Sequence, residues 1–200
     1  MARIQKGLFG VILFFLAVNF SCTTTQFKSV WKEDTFDGRL NSVLVVGIAE
    51  RHDIRTFFEK EFAKQFNNLN TKAIASVDIL PSEEELNEAA VLATAREHGM
   101  DTILVTHLVS LGGTSSYHIP DHAVRFHGYY HWASAYVHGP LYYAQGSKTV
   151  VLATNIYEVK TEELIWSART KTLDVHESKY RIITSKSSSV IKRLRKEKLI

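Results

Sequence analysis

The sequence predicts an α/β protein: a single mixed β-sheet with packed helices and one long insertion. Three observations predict it. Short Val- and Ile-rich runs alternate with segments of helical period over the first half of the chain. Two further apolar runs near the C-terminus are separated by the polar "KTE", the size of an antiparallel hairpin turn. Between these halves lies an aromatic, His-rich stretch, Gly112 to Lys148, with neither period.

"MARIQKGLFGVILFFLAVNFSC" opens with two basic residues and an apolar block from Leu8 to Val18, the layout of a signal peptide. The block is well short of the roughly 20 apolar residues that span a bilayer. The single cysteine, Cys22, follows the small Ser21 and excludes an intramolecular disulfide. This ending resembles a bacterial lipoprotein signal, which implies residues 1–21 as the leader and Cys22 as the lipidated first residue. Asn19 and Phe20 depart from that motif, and an ordinary secretory leader is the alternative. Thr23 replaces the aspartate that marks inner-membrane retention, so the expectation is a periplasm-facing anchor in the outer membrane.

Residues 22–41 are polar and without period, and read as the lipidated N-terminus and tether, with Val30, Trp31 and Phe36 able to dock on the domain. The α/β domain spans 42–200. "SVLVVGIAE" reads as a strand buried on both faces. Ile54, Phe57, Phe58, Phe62, Phe66 and Leu69 line one face of a helix that Asp53 could cap. "TKAIASVDIL" is a second strand. Ser82 and Glu85 have capping-box spacing for a helix using Leu86, Ala89, Ala90 and Ala93, with Gly99 at its C-terminal cap.

Asp101 to Leu111 is a third strand. "KTVVLATNIYEV" and "ELIWSARTKTL" form the hairpin. Tyr180, Ile183, Val190, Ile191 and Leu194 mark a final helix face, weakened by Ser185 to Ser189. Right-handed helical crossovers make the first three strands parallel.

"VLVVGIA" with its Phe-rich helix, "EHGMDTILVTHLV" and "VVLATNIYEVKTEELIWSA" resemble a set of uncharacterised bacterial lipoproteins. Their domain is similar to the TolB amino-terminal domain, the curli-secretion lipoprotein and the lipoprotein activator of peptidoglycan synthases. The resemblance covers Val30 to the C-terminus and brings no catalytic residue set. It implies an envelope-facing adaptor or binding domain.

The insertion offers two chemistries. Tyr129, Tyr130, Trp132, Tyr136, Tyr142 and Tyr143 supply apolar faces with polar tips and little charge, which suits a recognition surface for an envelope protein, peptidoglycan or membrane. Alternatively, His118/His122 and His127/His131 have the four-residue spacing that places two imidazoles on one helix face, as zinc or copper requires. Pro120 and Gly128 work against such helices, and on an extended strand residues four apart lie about 13 Å apart. Asp121 is the single acidic residue there.

Other chemistries find less support. Removing Arg3 and Lys6 leaves 22 of the 24 basic residues against 21 acidic ones, so no nucleic-acid footprint is expected. There is no G-x-S-x-G elbow or glycine-rich phosphate loop, and the expectation is a non-enzyme. His52 and Asp53 follow a strand's C-terminal end, where α/β proteins bind ligands, but loop and cap roles explain them. Glu83 to Glu85 suit a helix start, and His107 reads as a satisfied sheet histidine.

Overall fold

The computed structural model describes residues 25–49, 51–82, 86–111, 149–173 and 178–200. In chain order these form β1 (Thr25–Lys32), β2 (Ser42–Ile48), α1 (His52–Asn67), β3 (Lys72–Ala75), a 3-10 turn (Ser76–Asp78), α2 (Glu88–Glu97), β4 (Thr102–Leu111), β5 (Thr149–Glu158), β6 (Leu164–Leu173) and α3 (Lys179–Lys196). The expected single mixed sheet with packed helices is borne out. Its six strands run in the order β1-β6-β5-β4-β2-β3.

β2 pairs in parallel with both β3 and β4. The chain therefore steps from β2 to β3, then returns past β2 to reach β4. Crossovers of one hand then place successive helices on opposite faces. α1 packs its Phe58, Phe62 and Phe66 with Val43, Val45 and Leu104 on one face, joined by Ile183, Val190 and Leu194 of α3. α2 sets Val91 and Ala95 against Leu44, Val46, Ile103 and Val105 on the other. β2 is buried at every position because both of its faces are covered.

All three helices stop the same way. Gly99 follows α2 at φ 62, with its N–H on Arg96 and the Met100 N–H on Ala95. Asn70 and Lys198 take the same left-handed conformation after α1 and α3, and Thr71 and Leu199 reach back to Phe66 and Leu194. This double backbone bond satisfies orphan carbonyls, and after α2 and α3 it brings an apolar residue, Met100 or Leu199, back onto the last turn. The expected role of Gly99 holds.

Several expectations on the elements are corrected. Part of the expected tether, Thr25–Lys32, is edge strand β1, antiparallel to β6. A bulge between Phe27 and Ser29 breaks its alternation, so Phe27 and Val30 pack toward α1 and α3 while Trp31 packs on the other face. α2 starts later than expected, because Asn87 caps it by accepting from the Ala90 N–H at 3.0 Å. Its buried face is Val91, Thr94 and Ala95, and Ala89 and Ala93 are exposed. Asp53 lies inside α1, whose N-cap is Arg51. In α3, Ser187 and Ser189 return their hydroxyls to the carbonyls of Thr184 and Ser185, so the serine run stays helical.

Candidate functional site

β4 leads up to residue 112 and β5 resumes at Thr149, and the two are antiparallel neighbours. Register runs straight across the sheet at this point. Leu111 pairs with Val150, Val150 with Thr172, and Thr172 with Thr25. Thus the segment 112–148 leaves and re-enters at the same end of the sheet at which β1 begins. The parallel strands β2 and β4 also finish toward this end, with Ile48 opposite His107. α1 starts there, and α3 starts beside it, as the contact between Tyr180 and α1 shows.

The rim of this end carries Arg51, His52, Asp53, Tyr180 and Arg181, all exposed. Arg51 donates to both oxygens of Asp53 at 2.9 and 2.7 Å, and the Tyr180 hydroxyl reaches Asp53 at 3.4 Å. The hydrogen bonds from Arg51 hold the Asp53 carboxyl below its ordinary value. Tyr180 also sets its ring edgewise on Phe57 at 4.7 Å.

Beneath the rim sits a buried polar clamp. Glu59 Oε1 accepts from the Gly47 N–H, Arg55 Nε and Ser76 Oγ, each at 2.9 Å, and Oε2 accepts from the Val77 N–H at 2.6 Å. Arg55 donates onward to Ser76 Oγ at 3.2 Å and the Leu80 carbonyl at 2.7 Å. Burial pushes the Glu59 carboxyl up, against the pull of Arg55 and the two amides. The clamp ties β2, α1 and the 3-10 turn together. Capture of Ser76 and Val77 by Glu59 also explains why β3 ends at Ala75, before the expected strand does.

Lys186 is the third buried ionic group. It is 1% exposed, and its Nζ lies 3.3 Å from the carbonyls of Val150 and Thr170 and 3.2 Å from Thr170 Oγ1. Burial lowers its pKa to about 7. These neutral acceptors fix α3 to β5 and β6.

On the opposite face, His107, Ala153 and Arg169 stand in one row across β4, β5 and β6. Burial, with the Arg169 charge second, lowers the His107 pKa to about 3. Next in register, Ser167 donates to Asn155 Oδ1 at 2.7 Å and Asn155 donates to the Tyr157 hydroxyl at 3.0 Å. His107 is thus a buried sheet histidine, neutral at physiological pH, but its Nε2 is buried without a hydrogen bond among the described residues, so the expectation of a fully satisfied side chain is not met.

Cys22 and the insertion residues Tyr129, Tyr130, Trp132, Tyr136, Tyr142, Tyr143, His118, His122, His127 and His131 lie outside the described residues, as do Glu83 to Glu85. Among the described residues, no group of three or more His, Cys, Asp or Glu is placed to hold a metal ion. No described helix is long and apolar enough to cross a membrane. The clamp and Lys186 were not singled out from the sequence. Their signal is positional: Arg55 and Glu59 precede Phe62 and Phe66 at spacings of three and four, and Lys186 falls between Ile183 and Val190.

No family model matches the chain, and no curated protein matches it. The chain is similar to two solved structures of the PelC dodecamer from Paraburkholderia phytofirmans, one of them a variant. Identities are 13% and 10%, with 81% of this chain and 91% of each of those covered and TM-scores of 0.43 and 0.45.

Proposed function

We propose that the chain is a lipid-anchored bacterial cell-envelope protein that acts by binding, with Cys22 as its anchor and the 112–148 insertion as its recognition element. In this reading it belongs with the envelope lipoproteins it resembles in sequence. The three parallel strands and the C-terminal hairpin act as scaffold, and the aromatic insertion meets an envelope protein or peptidoglycan.

The observation that carries the reading is the pairing of Leu111 with Val150. Adjacent antiparallel strands need a connection of only a few residues. Here the chain spends the whole of 112–148 on that connection, and fills it with Tyr, Trp and His rather than with turn residues. Long connections on a rigid scaffold are where binding surfaces concentrate.

Three experiments test it. Mass spectrometry of the mature N-terminus should find acylated Cys22, and an unmodified Cys22 or cleavage elsewhere refutes the anchor. Photo-crosslinking in cells from position 130 should give a specific adduct. No adduct, with wild-type behaviour after deletion of 112–148, refutes the recognition role. Stoichiometric zinc or copper lost in His127→Ala/His131→Ala would replace it with metal binding.

A further inference from the structure

We infer that the end of the sheet marked by Thr25, Arg51, Tyr180 and Arg181, which is also the end that the 112–148 segment leaves, faces the headgroup surface of a phospholipid bilayer. The inference rests on the reading of Cys22 as the lipid anchor, and adds an orientation and a contact surface to it.

The length of chain before β1 sets the distance. A tether of residues 22–41 would let the domain swing well clear of the membrane. Because Thr25 already pairs with Thr172, only Thr23 and Thr24 separate Cys22 from the sheet. Three residue steps span at most about 11 Å even when fully extended. The polar layer of one bilayer leaflet is itself roughly 5–8 Å thick. Thr25 is therefore held at the outer edge of the headgroups. A ten-residue strand such as β6 extends about 33 Å, so the turn around Lys160 is carried to the far end.

The chemistry of the near end fits a bilayer. Tyr180 is the large apolar side chain that stays exposed among the described residues, at 45%. An amphipathic ring of this kind is favoured at headgroup level. Arg181 is exposed beside it, and Arg51 with Asp53 stands across from it.

The test uses the full mature lipoprotein in phosphatidylethanolamine/phosphatidylglycerol vesicles. Acylated Cys22 carries no free thiol, so a cysteine introduced by Tyr180→Cys, Arg181→Cys or Lys160→Cys takes a fluorophore selectively. A nitroxide on the lipid headgroup should quench the probes at 180 and 181 at least two-fold more than the probe at 160. Arg181→Cys spares the contact between Tyr180 and Phe57, so its result stands if Tyr180→Cys misfolds. Equal quenching at all three positions, with acylated Cys22 confirmed by mass, overturns the orientation and leaves the anchor standing. An unmodified Cys22 overturns both.

Discussion

Arg55 and Glu59 lie one turn apart on α1, both fully buried, with Arg55 Nε donating to Glu59 Oε1 at 2.9 Å. The pair faces the end of β2 rather than solvent, and its remaining hydrogen bonds reach the 3-10 turn and the chain beyond it. A buried ion pair of this kind adds little net stability over apolar residues of the same volume, since desolvation offsets the attraction. Its value is positional, because each bond fixes one element relative to another.

Breaking the pair on one side should be costly. Glu59→Leu leaves the Arg55 charge and the Val77 amide buried without their acceptor, and the expected loss is about 3–5 kcal/mol. Arg55→Met/Glu59→Leu should lose markedly less than the sum of the single variants. Urea denaturation of the four proteins measures the coupling, and additive losses would refute it.

Gly47 is required by close approach. A Cβ there would sit 2.9 Å from Phe58 Cδ1 and 3.4 Å from Glu59 Cγ, and neither side chain has room to withdraw. Gly47→Ala should therefore destabilise by about 1–3 kcal/mol through overpacking. Unchanged thermal stability would show that α1 can shift away from β2.

Lys186 should make stability rise with pH. Its pKa falls from 10.5 in the unfolded chain to about 7 in the fold. Between those values the unfolded chain holds more protons, so stability climbs across that window and the full penalty applies below about pH 7. At 1.36 kcal/mol per pH unit the penalty is at most about 4–5 kcal/mol. Lys186→Met removes it, so the variant should gain on the wild type most at pH 6 and least near pH 10. A stability difference that does not vary with pH would refute the shift.

The strands and helices with unbroken period were legible in the sequence, as β2 and the Phe face of α1 show. β1 was not, because its bulge interrupts the alternation and this edge strand leaves every one of its side chains at least partly exposed. The start of α2 was misplaced because Ser82 and Glu85 have capping-box spacing, whereas it is Asn87 that accepts from the Ala90 N–H. At the candidate site, periodicity placed Arg55, Glu59 and Lys186 on helix faces but could not say that those faces were closed. Closure depends on Ser76, Val77 and Thr170, which are remote in sequence.

His107 gives the acid-side counterpart of Lys186. Its pKa drops from 6.5 in the unfolded chain to about 3 in the sheet, chiefly through burial and then through the Arg169 charge. Between those values the unfolded chain binds a proton that the fold refuses, so stability falls as pH falls from 6.5 toward 3. Carboxylates contribute to acid unfolding as well, so the wild type alone does not isolate the effect. His107→Leu keeps an apolar side chain of similar size between Val105 and Ala153 and removes the titration. The wild type should lose stability relative to this variant by up to about 4–5 kcal/mol between pH 7 and pH 3. Arg169→Gln, which removes only the second cause, should lessen the loss without abolishing it. Parallel acid-unfolding curves for wild type and His107→Leu would show that the imidazole stays solvated.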